Sequence, residues 1–342
     1  MATLADVAKV AGVGVMSVSR VVNGTRSVSK ETEEKVRAAI RRIGYEPNEA
    51  ARILKGQRAQ VLGLIVPDLS DPFFATCAHA IQETAREAGY MTLMVDSGHQ
   101  PNVEKAQAEV MTRRQIAGLI IIPTGLDNDY LLKAREKGLP IVSLDRPLKD
   151  VDADAVLVDN REASTRLVEH LVGHGHRNIL CVVEEYRMFT QQERLAGYTQ
   201  AMRNAKLSTR ICTVGPTSGT VAEQLSLMLA AEPRPTAIFS ASDLLTIETL
   251  RQLQRTRVKI PQEMALVVFD DFDAATLISP QVTAVRQPVI ELGRKAVSLL
   301  LERIDGINSG PAKHVILKTE LIIRESCGCG LKNVAAKREK TR

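Results

Sequence analysis

Apolar positions three and four residues apart open the chain. In "TLADVAKVAGVGVMSVSRVVNG" (residues 3–24), Leu4, Val7, Ala8 and Ala11 share one helical face, and Thr3 with Asp6 reads as a helix cap and its reciprocal acid. Gly12 and Gly14 permit a sharp turn, after which a second helix over 15–22 turns Val18, Val21 and Val22 inward. Its outward residues, Val15, Met16, Ser17, Ser19, Arg20 and Asn23, are small, polar or basic. They can approach a nucleic-acid groove closely, as the second helix of a helix-turn-helix must. A helical hairpin packed on something larger is the competing reading. "SVSKETEEKVRAAIRRIGY" predicts a third helix, with Ser29 as cap, acids in the first turn, Arg41 and Arg42 in the last, and Gly44 as the stop. "EPNEAARILKG" predicts a fourth, from Pro47 and Asn48 to Gly56, too short to stand without a partner.

After residue 60 the period changes. The apolar runs "VLGLIVP", "MTLMVD", "GLIIIP" and "PIVSLD" alternate with helical segments such as 72–89, where Ile81, Thr84, Ala85 and Ala88 fall on one side. The rhythm repeats from about 161 to 272 with "NILCVVE", "RICTVG", "TAIFSA" and "MALVVFD". Repeated β-α units imply parallel sheets covered by helices on both faces, and the repetition implies two similar lobes. Ligands of such sheets bind beyond the carboxyl ends of the strands. The residues found there are Asp68 and Asp71 with Phe73 and Phe74, Asp96 and Ser97, Asp145 and Arg146, Asp159, Ser242 and Asp243, Asp270, Asp271 and Asp273, and Gln287. Carboxylates beside an arginine and two phenyl faces suit a small polyol. An aspartate at a strand end also caps the next helix, the role expected for about half of these.

Charge sharpens the division. Residues 1–58 hold 11 lysines and arginines against 6 acids, whereas the other 284 residues hold 34 of each, so the whole excess of +5 lies in the first sixth of the chain. A basic module on a balanced body is the footprint of phosphate contact. The last twelve residues, "LKNVAAKREKTR", carry a further +4 and read as a disordered tail with at most an auxiliary nonspecific contact. At 342 residues, 44% hydrophobic and 25% charged, the chain is ordinary globular material for two or three domains. Neither an eighteen-residue apolar run nor a secretory N-terminus is present, which argues against membrane insertion and export. Five scattered cysteines, at 77, 181, 212, 327 and 329, suggest reduced thiols and a cytoplasmic location.

Other chemistries find little support. A glycosidase needs an acid whose pKa apolar surroundings raise, and none is expected here, so no catalytic residue is assigned. "GHGHRN" lacks the phosphate-cradling glycine pattern and closes a helix instead of opening one. His170 and His174 stand four apart on a predicted helix with His176 beyond, but lack a third ligand in sequence and read as helix-end histidines. Cys327 and Cys329 in "CGCG" lack a second cysteine pair and read as part of the tail. Neither a metal nor a cofactor is expected.

"DVAKVAGVGVMSVSRVVNG", "VSKETEEKVRAAIRRIGYEPNEAAR", "GLIVPDLSDPFF", "RLAGY", "PTAIFSASD", "VVFDD" and "TAVRQP" together resemble the lac repressor family of bacterial transcription factors, in order and spacing, from about residue 2 to 326. The resemblance implies a small all-α helix-turn-helix headpiece (1–46), a hinge helix and linker (47–59), and a core of two doubly wound parallel-sheet lobes, similar to periplasmic sugar-binding proteins (60–330). The first lobe would span about 60–160 with a return segment near 286–326, the second about 161–285, and the basic tail 331–342. It places Val15, Met16, Ser17 and Arg20 at the major groove, Thr3, Ser19, Asn23 and Ser27 at phosphates, and Ala51 and Leu54 in the hinge, where the family wedges a leucine into the minor groove. It places Asp71, Phe73, Phe74, Asp145, Arg146, Arg194, Ser242, Asp270 and Gln287 around an effector. Departures from the pattern are Gly14 and Asp71 where the family commonly has serine and asparagine, Ser17 for threonine, and Ser242 for a frequent asparagine. The implied partners are operator DNA, a small sugar and a second copy of the chain, with a tetramer as a further assembly. A purine- or nucleoside-responsive corepressor-type regulator is the alternative, and a plain solute-binding protein is disfavoured by the headpiece.

Overall fold

The computed structural model describes residues 2–23, 28–45, 59–125, 127–185 and 188–329. Two compact units divide the chain between residues 59 and 60.

The first unit contains α1 (Leu4–Ala11), α2 (Val15–Asn23) and α3 (Lys30–Ile43). Thr3 and Asp6 exchange both bonds of a capping box at the start of α1. Gly12, at φ +65°, takes the left-handed conformation that ends it, and Gly44 does the same for α3 at φ +60°. Val7, Ala8, Val18, Val36, Ala39 and Tyr45 form the core, with Leu4, Ala11, Val21 and Val22 packed against it. The faces expected from the periodicity of both helices are the faces buried. Ser27, the hinge residues Ala51 and Leu54, and the tail 331–342 lie outside the described residues.

The second unit holds two six-stranded sheets. The first lobe begins with β1 (Val61–Val66), α4 (Pro72–Glu87), β2 (Met91–Asp96), α5 (Pro101–Arg113), β3 (Gly118–Ile121), α6 (Leu132–Glu136), β4 (Ile141–Leu144) and β5 (Asp154–Val158). The second lobe takes α7 (Asn160–Gly173), β6 (Ile179–Glu184), α8 (Phe189–Asn204), β7 (Arg210–Val214), α9 (Val221–Ala230), β8 (Ala237–Ser240), α10 (Asp243–Arg255), β9 (Ala265–Phe269) and β10 (Thr283–Arg286). Then α11 (Val289–Ile304) and β11 (His314–Leu317) return to the first, and β12 (Glu320–Ile322) ends on the second. Strand order is β11-β5-β4-β3-β1-β2 in one sheet and β12-β10-β9-β8-β6-β7 in the other. All pairings are parallel except that of β12 with β10. Central strands such as β3, β4 and β9 are buried along their whole length, which is why they read as continuous apolar runs.

The return segment is shorter than expected. It stops at Leu317, because β12 pairs with β10 and Leu321 and Cys327 join the second lobe's core. Cys327 is fully buried and so belongs to the body of the protein, not to a tail. On α4 the buried side is set by Phe74, Cys77, Ala78, Ile81 and Ala85, while Ala88 lies beyond the helix and is exposed. The chain passes between the lobes three times, and Asp159 ties two passages together. Its buried carboxylate accepts the Thr319 amide at 2.9 Å and pairs with Arg166 at 3.3 Å, so this strand-end acid is architectural.

Candidate functional site

Two surfaces carry the chemistry. On the first unit, the start of α2 presents apolar side chains to solvent: Val15 is 48% and Met16 73% exposed. Because Val18 is anchored in the core, Ser17, Ser19 and Arg20 are held half-buried around these two, on a helix that begins directly after the Gly12–Gly14 turn. Helix N-termini also present amide donors to anions. The Thr3 hydroxyl is engaged by Asp6 Oδ2 at 2.7 Å, so in this conformation it serves the cap. The Asn23 side chain lies outside what is described.

The second surface is the cleft between the lobes, where strand ends from both sheets face each other. All nine positions expected around an effector line a single cavity: Asp71, Phe73, Phe74, Asp145, Arg146, Arg194, Ser242, Asp270 and Gln287. The sheets explain why. In each sheet the third strand, β4 in one and β9 in the other, ends in an aspartate with left-handed backbone: Asp145 at φ +66° and Asp270 at φ +75°. Asp and Asn tolerate this region better than most residues, and such conformations concentrate at binding sites. Each aspartate holds an arginine. Arg146 Nε lies 3.1 Å from Asp145 Oδ2, and Arg194 Nη1 lies 3.0 Å from Asp270 Oδ2. Arg194 is further fixed by Asn160 Oδ1 at 2.9 Å, by the Ala241 carbonyl at 2.8 Å, and by stacking 3.7 Å from the Phe269 ring centroid. Gln287 donates to the other oxygen of Asp270. Asp71 and Ser242 do double duty as N-caps of α4 and α10.

Electrostatics distinguish this cavity further. Five carboxylates (Asp71, Asp145, Glu184, Asp243, Asp270) face two arginines and His99. Burial raises the pKa of Asp71, Asp145 and Glu184. Burial, then the charges of Asp270 and Asp71, lift Asp243 to about 6. The expectation that no acid has surroundings that raise its pKa is therefore overturned: strand ends far apart in sequence are buried together and add their charges in one cavity. Two buried acceptors on the cavity wall, Gln191 Oε1 and Gln287 Oε1, have no hydrogen-bond partner among the described residues. Buried polar atoms are rarely left so without a role. His99, Glu184, Thr190, Gln191, Asp243 and Leu244 complete the wall. Of these, only Asp243 was among the strand-end residues singled out, although Glu184 closes the predicted strand "NILCVVE". Asp71 and Asp270 face this cavity, whereas Asp271 is engaged by Arg286 at 2.7 Å and Arg324 at 2.7 Å and Asp96 binds the Leu69 amide at 2.7 Å.

At about 80 Å³ the cavity is far below the ~300–1,000 Å³ of typical small-molecule pockets. Hollows of about 690 and 770 Å³ occur on the second lobe, around Ile247, Phe272 and Ile278 and around Glu185 and Gly215. Neither gathers opposed charges at strand ends from both sheets.

Comparison with known proteins shows the family. Residues 3–48 match the model of bacterial regulatory proteins of the lacI family, and residues 168–327 match a periplasmic binding protein-like domain. The chain is 31% identical over 334 residues to the HTH-type transcriptional repressor PurR of Haemophilus influenzae (strain PittEE), covering 95% of this chain and 98% of that one. It is 31% identical over 328 residues to the repressor CytR of Escherichia coli (strain K12), covering 95% and 96%. Among solved structures it is similar to the lac repressor dimer bound to operator and the anti-inducer ONPF, with TM-score 0.79, 25% identity and coverage of 95% and 99%. It is also similar to a complex of the transcriptional regulator CelR with cellobiose, with TM-score 0.69, 28% identity and coverage of 95% and 100%. By sequence and by fold, the chain belongs to the lacI family of bacterial regulatory proteins and is a helix-turn-helix transcriptional regulator with a periplasmic-binding-protein-like core.

Proposed function

We propose that the protein is a homodimeric, cytoplasmic repressor, without enzymatic activity, whose affinity for operator DNA is set by a small, neutral, hydroxyl-rich effector held between the lobes. The observation that carries this reading is the composition of the cleft, where two aspartate–arginine pairs oppose each other beside buried acceptors that have no partner among the described residues. Hydroxyls both donate and accept, so they satisfy carboxylates, guanidiniums and amide oxygens at once. Five acids against two arginines disfavour a phosphate. The cellobiose complex of the similar CelR regulator supports a sugar. A purine finds less support: Phe73 and Phe74 meet edge to face, 71° apart, and Phe74 is buried, so they do not form a slot that sandwiches a base.

On this reading Val15, Met16, Ser17 and Arg20 meet the major groove, Thr3, Ser19, Asn23 and Ser27 meet phosphates, and Ala51 and Leu54 act at the minor groove. An effector that prefers closed over open lobes would change how two headpieces are presented to one operator. The test is a thermal-shift screen of the full chain against neutral sugars, sugar phosphates and purines. A ligand at 100 times its Kd adds about 2.7 kcal/mol and a measurable rise in Tm. Stabilisation by a neutral sugar is expected; stabilisation only by a purine or a phosphate ester would overturn the effector assignment.

A further inference from the structure

The sequence holds two incomplete metal motifs, a histidine pair without a third ligand and a C-x-C without a second pair. Folding brings them together. His170 and His174 lie one turn apart at the end of α7, and the segment after β12 returns to lay Cys327 and Cys329 beside them. Cys329 Sγ is 3.1 Å from His170 Nε2 and 2.9 Å from Cys327 Sγ. Ligand atoms of His170, His174 and Cys329 all lie within 4.8 Å of one another.

The details fit a metal centre better than a chance cluster. The His170 and His174 rings are 4.4 Å apart by centroid. His174 Nδ1 lies 2.8 Å from the His170 carbonyl, an acceptor, so the neutral ring carries its proton on Nδ1 and turns Nε2 to a metal. An outer partner that fixes the tautomer in this way is the usual accompaniment of a metal-binding histidine. Cys327 is buried, while Cys329 and both histidines are half-buried, which leaves an approach from solvent. Ions bound at about 2.0 Å to nitrogen and 2.3 Å to sulfur, in tetrahedral array, set ligand atoms roughly 3.3–3.8 Å apart. Three of the four donor atoms already lie within 4.8 Å of one another, Cys327 Sγ lies 2.9 Å from Cys329 Sγ, and side-chain rotation must bring Cys327 in to complete the tetrahedron.

We propose that His170, His174, Cys327 and Cys329 form a binding site for a tetrahedral thiolate–imidazole metal ion, with Zn²⁺ as the natural occupant of such a donor set. Binding exchanges the two thiol protons, released to solvent, for two metal–sulfur bonds, and no oxidant is required. The ion would pin the segment after β12 to the end of α7. The first residue of α7, Asn160, holds Arg194 in the cleft, so the staple stiffens an element that also positions the effector site.

The site is tested on the untagged full chain, reduced, stripped with a chelator and titrated with Co²⁺ and then Zn²⁺. Expected are one Co²⁺ per chain, with the intense visible bands of tetrahedral cobalt and a thiolate charge-transfer band, its displacement by Zn²⁺, and a Zn²⁺-dependent rise in Tm. Cys329→Ser and His174→Gln, both at half-buried positions, are expected to fold, to lose the charge-transfer intensity or the tetrahedral bands, and to weaken Co²⁺ binding by more than about 100-fold, beyond the loss typical of an outer-shell partner. Binding without thiolate charge transfer, unchanged binding in both variants, or a fully reduced protein that binds no Co²⁺ would each overturn the proposal. Effector binding and operator binding are read separately, so failure here leaves the regulatory reading untouched.

Discussion

Asp270 combines a left-handed backbone with bonds to two side chains, Arg194 and Gln287. Asparagine shares its size and its tolerance of that backbone, so Asp270→Asn removes mainly the charge. If the cleft binds the effector, the variant should lose about 1–3 kcal/mol of effector affinity, between one and two orders of magnitude, while ligand-free protein binds operator as before. Calorimetry with the ligand from the thermal-shift screen and a gel shift would show this, and unchanged calorimetry would place the effector elsewhere. Asp243 gives a pH signature. With a folded-state pKa of about 6 against 3.8 for an unperturbed carboxyl, the folded protein keeps a proton that the unfolded chain releases. Its contribution to stability is therefore complete below pH 3.8 and lost as pH rises through about 6. The Tm of the natural protein minus that of Asp243→Asn should fall between pH 4 and pH 7. A flat difference would mean that Asp243 titrates normally.

At the scale of elements, α7 and α8 are joined by the close approach of their backbones. A Cβ added at Gly197 would lie 2.3 Å from the Arg161 carbonyl oxygen and 2.7 Å from the Ser164 Cβ, contacts that only a shift of one helix could relieve. Arg194 stands almost one turn before Gly197, and Asn160, at the head of α7, holds it in place. Gly197→Ala should therefore destabilise the core by about 1–3 kcal/mol, as overpacking does, and also weaken effector binding by moving Arg194. Urea unfolding would measure the first and calorimetry the second. An alanine variant as stable as the natural protein would show that the helices are not held at this distance. The glycine of "RLAGY" is thus a packing residue, one turn from a cleft-lining residue on the same helix.

At the scale of the whole molecule, charge is partitioned by unit, with the net +5 in residues 1–58 and none in the remainder. Operator binding should therefore weaken steeply with salt, whereas binding of a neutral effector should hardly respond. Arg20→Ala should cost about 1–3 kcal/mol of operator affinity and, if the contact is to a phosphate, flatten the salt slope by about one unit. Gel shifts across a salt series would decide, and a salt-independent complex would refute phosphate contact as the source of affinity. The lobes, by contrast, are held by three chain passages and by buried polar ties such as Asp159 to Thr319.

The sequence by itself determined the local elements, because their causes are local: the capping box of Thr3 and Asp6, the helical stops at Gly12 and Gly44, the apolar faces of α1 and α2, and the continuous apolar runs of parallel strands. It also placed nine of the cleft residues, partly through the rule that ligands meet strand ends and partly through the resemblance of its motifs. Only the tertiary structure decided which strand-end acids face the cleft and which, like Asp159 and Asp271, serve ion pairs outside it. It also decided that burial and mutual repulsion raise Asp243, and that β12 leaves the first lobe for the second. The meeting of His170 with Cys329 was likewise illegible, since 159 residues separate them. Periodicity and capping act over a few residues, whereas desolvation, charge coupling and metal chelation depend on distances through space that chain separation does not encode.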